Sequence, residues 1–270
     1  MTGSSWLRSA AVATAGAVAI VLVMSPAAHS RGKKKAKETP TPTATLTPTA
    51  TPTPEQKVWN FDSDKAGNVA QGWKAIEGDW TVIPDPSAPS QPNTFGIEAG
   101  SLVSSLTHAL EYYPIAIFDD PKEYGDLTLE ASFKSVGGRF DCSGGLIFRY
   151  VDASNYYVLS AGCPSDYFAI SRVTAGKLEV LKQQVVPTDK DTWYKLKVIA
   201  QGGHFTAYDN DKMVFDIDDS KIAKGKIGLW TRDDSQARFD NVTLTIMDNF
   251  EAASPSGEAS ASAPALPPPP

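Results

Sequence analysis

Apolar and polar residues alternate along several short segments in the middle of the chain. In Asp126–Lys134 every second residue, beginning with Leu127, is apolar, and the residues between them are polar. Tyr194–Ala200 largely repeats this pattern, and Lys226–Thr231 and Arg238–Ile246 are further apolar segments of strand length. Because alternate side chains of a strand point to opposite faces, these segments predict β-strands with one buried face.

Turn sequences separate other segments of this kind. The sequence DNDK separates Phe205–Tyr208 from Met213–Ile217, and DASN separates Gly145–Val151 from Tyr156–Gly162. Asp, Asn and Ser favour tight turns, so both pairs of segments predict β-hairpins. No segment has the apolar period of a long helix. The pattern therefore favours an all-β, antiparallel sandwich.

The two ends of the chain differ in composition from this central region. The apolar stretch Ala10–Met24 is shorter than the roughly 20 residues that span a bilayer, and small residues follow at Ala28 and Ser30. We predict a signal peptide over residues 1–30, with a retained membrane anchor as the alternative, and no membrane-spanning segment after cleavage. Residues 31–54, basic and then rich in Thr and Pro, predict an extended linker, and the Ala/Ser/Pro-rich residues 251–270 predict a disordered tail.

Residues 55–250 remain as one domain. They contain every aromatic residue except Trp6, so a sizeable core can form. The whole chain carries a formal net charge of −6, and its basic cluster at 31–37 lies outside the domain. Such an acidic surface repels phosphate, so nucleic acid is not an expected partner.

The hairpin around DASN places an arginine in an unusual position. If Val151 faces Tyr156, then Phe148 faces Leu159 and both point into the core. The same alternation directs Arg149 to the opposite face, away from the core. An arginine among Gly, Ile and Phe needs a partner carboxylate or a ligand, and both alternatives remain open.

The chain has two cysteines, and an exported protein favours a disulfide over a metal site. Cys142 and Cys163 share the core-facing side of the same hairpin. A bulge near Gly144–Gly145 would bring them opposite each other. We therefore predict a Cys142–Cys163 bridge, with two buried free thiols as the alternative.

Several segments resemble a known family. They are EYGDLTLEASFK, GGLIFRYVDASNYYVL, DTWYKLKVIAQGGHFTAYDNDKMVF and GKIGLWTRDDSQARFDNVTL. With the opening segments WNFDSDKAG and GWKAIEGDWTV they extend from Trp59 to Leu244. Together they resemble secreted concanavalin A-like jelly rolls of the 3-keto-disaccharide hydrolase type, relatives of laminin-G-like lectin domains and family-16 glycoside hydrolases. The resemblance implies a sandwich of two curved antiparallel sheets that recognises sugar on its concave face.

Candidate ligand-binding residues are those whose side chains suit a sugar. Aromatic rings stack on C–H faces, and Arg and Asp exchange hydrogen bonds with hydroxyl groups. The alternative role of Trp230 is to cover an edge of the sheet. The alternative role of Tyr156 is to pack against the neighbouring strand. The candidates are Arg149, Tyr156, Tyr167, Trp230, Arg232 and, from a loop, Asp141.

Catalysis is the second hypothesis, and the family-16 arrangement is absent. Asp126 and Glu130 share a strand face but stand about 13 Å apart at 3.4 Å per residue, and Thr128 occupies the position between them. Paired glycosidase carboxylates stand about 5–9.5 Å apart. Cleavage of a keto-sugar needs only one base. Glu130, Asp141 and His204 are candidates, and the sequence does not distinguish among them.

A structural calcium ion is implied by the resemblance, because relatives hold one between the start of the domain and its last strand. Asp62 and Asp240 are its expected ligands. The alternative is that Asp240 caps a turn.

The resulting hypothesis is a secreted or cell-surface carbohydrate-binding domain. The alternatives are a hydrolase of 3-keto-disaccharides or other glycosides, and an extracellular adhesion or scaffold module.

Overall fold

The computed structural model describes residues 53–98, 112–163 and 165–247. These residues form strands and no helix, and therefore contain no helical span of membrane-crossing length. The strands are β1 (Glu55–Trp59), β2 (Trp73–Glu77), β3 (Trp80–Pro84), β4 (Asn93–Ile97), β5 (Ile115–Phe118), β6 (Leu127–Gly137), β7 (Cys142–Asp152), β8 (Asn155–Cys163), β9 (Tyr167–Thr174), β10 (Lys177–Val185), β11 (Trp193–Gln201), β12 (His204–Asp209), β13 (Lys212–Asp218), β14 (Lys226–Thr231) and β15 (Gln236–Ile246). The predicted signal peptide, linker and tail lie outside the described residues.

The strands form two antiparallel sheets. One has eight strands, in the order β13-β12-β11-β6-β15-β4-β3, with β1 also paired to β15. The other has seven strands, in the order β10-β9-β8-β7-β14-β5-β2. The architecture is an all-β antiparallel sandwich, as the alternation of apolar residues predicted, and it is jelly-roll-like, as the resemblance implied.

The main core lies between the two sheets. In β6, Leu127, Leu129 and Phe133 are fully buried. Thr128 and Glu130, which alternate with Leu127, Leu129 and Ala131 along the strand, are only half-buried. The register of β11 on β6 places Leu196 opposite Ala131, so both strands direct their apolar side chains to this core. Burying such side chains supplies most of the favourable free energy of folding.

The seven-stranded sheet also carries apolar residues on its other face, which we call the outer face. Leu146 and Leu159 belong to the main core, so their neighbours Ile147 and Val158 point the opposite way. There they join a second buried cluster. Its members are Ile115, Ile117, Ile147, Tyr150, Tyr156, Val158, Val173 and Trp230.

The predicted disulfide is confirmed, but by a different register from the one expected. Cys142 lies directly opposite Cys163 with their Cα atoms 5.3 Å apart, and the pairing continues without a break until Phe148 opposite Tyr157. The shift of register lies between Phe148 and Asp152, next to the turn, and not at Gly144–Gly145.

This bulge reverses the orientation of Arg149, so the prediction that it points away from the core is wrong. Arg149 has a φ of 52°, the left-handed conformation, which turns its side chain to the same side as Phe148. Its side chain is only 1% exposed and lies 5.0 Å from the centre of the Phe205 ring. The guanidinium donates hydrogen bonds to the carbonyl oxygens of Gly125, Gly202 and Ile222. These three backbone acceptors and the Asp126 carboxylate, whose Oδ1 lies 3.7 Å from the guanidinium, thus satisfy the buried charge.

Candidate functional site

A cavity of about 300 Å³ opens on the outer face of the seven-stranded sheet. We call it the Tyr167 pocket. Its lining residues come from β8, β9, β10 and β14, and from the loops that precede β7, follow β8 and follow β14. Four of the predicted ligand-binding residues line it together: Asp141, Tyr167, Trp230 and Arg232.

Small side chains on the central strands create the hollow. Ser160, Ala169 and Ser171 form part of its lining, and each alternates along its strand with residues of the main core. Ser160 lies opposite Gly145, which has no side chain to fill the space. Larger residues border the hollow on both sides, with Trp230 on β14 and Leu178 and Val180 on β10. The pocket is therefore a local gap in an otherwise packed face.

Trp230 forms the wall nearest the outer-face cluster. Its ring stacks on Tyr113 at 5.6 Å between centroids and 26° between planes, and the residue is 2% exposed. Its indole N–H and the Tyr156 hydroxyl are both buried. Burial raises the pKa of the Tyr156 hydroxyl, and the adjacent Trp230 indole N–H partly offsets this rise. Trp230 therefore contributes an apolar wall to the pocket.

Asp141 and Arg232 form a polar end to the pocket. Asp141 Oδ1 accepts hydrogen bonds from the Ser143 N–H at 2.9 Å, the Ser235 hydroxyl at 3.1 Å and the Ser143 hydroxyl. The other oxygen, Oδ2, lies 4.0 Å from Arg232 Nε, and Asp233 Oδ2 lies 3.5 Å from the same nitrogen. The protein thus fixes one carboxylate oxygen and leaves the other beside the guanidinium.

The electrostatics of this end follow from burial and from the nearby charges. Burial raises the pKa of Asp141 above its ordinary value, against the opposing effects of Ser143, Arg232 and Ser235. Burial and the Asp141 charge raise the pKa of the Tyr167 hydroxyl, which is therefore neutral at physiological pH. Burial alone would lower the pKa of Arg232, but Asp141 and the other acidic neighbours outweigh it and raise that pKa.

These groups suit a ligand with several hydroxyl groups. A carboxylate accepts hydrogen bonds, a guanidinium donates them, and a neutral phenol does both. The apolar border formed by Trp230, Leu178 and Val180 suits the C–H faces of such a ligand. Within the described residues, no three His, Cys, Asp or Glu side chains are grouped to hold a metal ion.

The other two predicted ligand-binding residues lie elsewhere. Tyr156 is fully buried in the outer-face cluster and packs 6.0 Å from Tyr150, which is the cross-strand role considered as its alternative. Arg149 lies on the core side of the sheet. Sequence reasoning missed Gln183, Ser165 and the small lining residues, although small residues at outward positions of central strands are a signal that a sequence contains.

Of the three candidate bases, only Asp141 lies in the pocket. Glu130 is 3.5 Å from Lys195 Nζ on the eight-stranded sheet, and His204 Nδ1 is 2.8 Å from Asp218. Both have charged neighbours outside the pocket. Asp141 is therefore the candidate base for keto-sugar chemistry in this pocket.

The expected calcium ligands, Asp62 and Asp240, lie near each other. The Asp240 carboxylate accepts hydrogen bonds from the N–H and hydroxyl of Ser90 and from the Asn241 N–H. Burial, together with the nearby charge of Asp62, raises the pKa of Asp240. The Asn93 side-chain amide lies among the backbone carbonyl oxygens of residues 61, 62 and 64. Carboxylate, amide and carbonyl oxygens are groups that calcium accepts as ligands, so calcium binding by Asp62 and Asp240 stays a prediction.

Comparison with known proteins places these features in context. A levanase of Bacillus subtilis (strain 168) is 32% identical over 121 residues, which are 44% of this chain and 17% of the levanase. The chain therefore spans less than a fifth of that curated relative. The solved carbohydrate-binding module CBM66 from Bacillus subtilis has a TM-score of 0.52 at 24% identity, over 64% of this chain and 95% of the module.

The CBM66 structure supports the fold, because the superposition covers nearly all of that module. The family comparison goes further along the chain. Residues 58–245, which include every strand from β2 to β14 and almost all of β15, match the family described as 3-keto-alpha-glucoside-1,2-lyase-like domains. The chain belongs to this family.

Proposed function

We propose that this chain is an exported carbohydrate-binding module that holds a saccharide in the Tyr167 pocket. The observation that carries the proposal is the convergence of Asp141, Tyr167, Trp230 and Arg232 on one cavity. These residues come from three separate segments of the chain, and none of them belongs to the main core between the sheets.

The size of the pocket supports a small ligand. Its volume of about 300 Å³ is at the lower end of the range for ligand pockets, roughly 300–1,000 Å³. One or two sugar units would occupy it, with the rest of a chain extending into solvent. The levanase relative makes levan the first polysaccharide to test.

The disulfide favours a location outside the cytosol for this protein. The Cys142–Cys163 bridge links two strands beside the pocket, and disulfides persist in oxidising compartments outside the cytosol. The predicted signal peptide over residues 1–30 is consistent with this location.

Binding is tested by screening the full chain against an oligosaccharide array that includes levan fragments, followed by calorimetric titration of the ligands found. Arg232→Ala is expected to weaken binding about 10-fold or more, because it removes the guanidinium beside Asp141. Arg172→Ala is the matched control. Arg172 also contacts two carboxylates, those of Asp219 and Glu179, but outside the pocket.

Two results would overturn the proposal. The first is that the folded wild type binds no saccharide in the array. The second is that Arg232→Ala and Arg172→Ala bind with the same affinity as the wild type.

A second candidate function, elimination on a 3-keto-glycoside, is favoured by the family and by the raised pKa of Asp141 in the pocket. In that reaction Asp141 removes the proton from C2, beside the keto group. The C–H electrons form a double bond between C1 and C2, and the C1–O bond breaks. The leaving oxygen takes a proton from water, and Arg232 stabilises negative charge on the keto oxygen.

The two candidates differ in a measurable product. Elimination gives an unsaturated ketone that absorbs in the ultraviolet, whereas binding alone leaves the 3-keto-disaccharide intact. Asp141→Asn is expected to abolish the absorbance if the reaction occurs. No absorbance with the wild type would leave binding as the function.

A further inference from the structure

The loop that carries Asp141 into the pocket is held by a carboxylate outside the pocket lining. The backbone N–H groups of three consecutive residues, Arg139, Phe140 and Asp141, all donate to Asp234. The distances to the nearest Asp234 oxygen are 2.7, 3.0 and 3.0 Å. One side chain thus fixes the path of the whole segment.

The neighbouring residues tighten the same contact. Ser235 donates its hydroxyl to Asp141 and accepts a hydrogen bond from the Ser143 N–H at 3.0 Å. At Gly138, which has a φ of 132°, a Cβ atom would collide with the Asp141 carbonyl oxygen. The loop before β7 and the turn after β14 therefore form one compact unit, which presents Asp141 to the pocket.

The charge of Asp234 strengthens these contacts. Burial would raise its pKa, but the three backbone N–H groups outweigh burial and hold the pKa below its ordinary value. Asp234 is therefore ionised at neutral pH. Hydrogen bonds to an ionised acceptor are about twice as strong as those between neutral groups.

We propose that Asp234 is a positioning residue for saccharide binding. It acts through the 139–141 loop, which it holds so that Asp141 Oδ2 and Arg232 Nε stay 4.0 Å apart at the end of the pocket. The proposal rests on the proposed binding function. It assigns a role to a residue that lies outside the pocket lining.

The experiment compares three variants of the full chain: Asp234→Ala, Asp234→Asn and Asp152→Ala. Asp152 is the matched control, because it accepts the Ser154 N–H at 2.7 Å in the turn at the other end of the same hairpin. Two quantities are measured, the affinity for the oligosaccharide that the array identifies and the amide hydrogen exchange of residues 139–141 without ligand.

Asp234→Ala is expected to weaken binding by about 10- to 100-fold and to speed exchange of the 139–141 amides. Asp234→Asn retains an acceptor oxygen, so it should recover a large part of the lost affinity. Asp152→Ala should speed exchange only at its own turn and leave the affinity unchanged. Recovery in the asparagine variant separates positioning from a general loss of stability.

The outcomes distinguish this inference from the binding function. If Asp234→Ala binds like the wild type, or if its 139–141 amides exchange at the wild-type rate, the positioning role is wrong. If Asp234→Ala does not fold, the test rests on the two other variants. Equal losses of affinity in folded Asp234→Asn and folded Asp152→Ala would then overturn the positioning role. If exchange speeds up as expected but the wild type binds no saccharide, the loop is positioned as described and the binding function is wrong.

Discussion

Replacing Arg149 by methionine tests the account of the bulge in β7. The substitution removes the guanidinium from three carbonyl oxygens, those of Gly125, Gly202 and Ile222, which it reaches at 2.7–3.1 Å. Each acceptor left without a partner costs about 1–3 kcal/mol. Gly202 is exposed and water can replace its partner. We therefore expect a loss of about 3–5 kcal/mol, a large part of the 5–15 kcal/mol that stabilises a typical domain.

The assay is equilibrium unfolding of the full chain in urea, with Arg139→Met as the control. Arg139 lies exposed on a loop, and its replacement should change the free energy of unfolding by less than about 0.5 kcal/mol. Because Arg149 lies outside the pocket, Arg149→Met should keep wild-type saccharide affinity under conditions where it is folded. A stability loss below about 1 kcal/mol together with lost affinity would refute the buried placement and restore Arg149 as a ligand contact.

Three further predictions address the disulfide, the pocket floor and acid stability. Reducing the Cys142–Cys163 bridge, which closes a loop of 21 residues, should lower the free energy of unfolding by about 3 kcal/mol, and thermal unfolding with and without dithiothreitol checks this. Ala169→Leu should fill the pocket and abolish saccharide binding while the unfolding temperature stays near that of the wild type; retained binding would show that the ligand sits elsewhere. A hydrogen bond from Lys57 lowers the pKa of Asp120 to about 2, so its contribution to stability is present above pH 4 and is lost as the pH falls toward 2. Asp120→Asn should flatten the fall of unfolding free energy over that range, and a curve parallel to that of the wild type would contradict the assignment.

The sequence predicted the sandwich because its strands have one buried face, and a period of two is visible without coordinates. It also predicted the disulfide. Alternation places both cysteines on the same face of the hairpin, and this remains true wherever two extra residues are inserted in one strand. For the same reason the sequence did not locate the bulge, and this caused the error at Arg149. A bulge at Gly144–Gly145 and a bulge at residues 149–151 both bring the cysteines together, but only the second turns the arginine inward.

The sequence predicted which residue types form the candidate site, but not how the strands bring them together. Asp141, Tyr167, Trp230 and Arg232 could be proposed because their side chains suit a sugar. Their convergence depends on which strands are neighbours, and the pairing of β14 with β7 is a long-range contact that local sequence does not encode. The role of Asp234 depends on backbone N–H groups about 95 residues away in sequence, and backbone donors have no residue-type signal.

The central claim is that a saccharide binds in the Tyr167 pocket on the outer face of the seven-stranded sheet. The most direct measurement is an NMR titration of the ¹⁵N-labelled chain with levan fragments and with any other oligosaccharide that the array identifies. The account predicts that the largest amide shifts map to residues 139–141, 165–171 and 230–232. Shifts confined to the eight-stranded sheet, for example at residues 128–132 and 195–199, would contradict it.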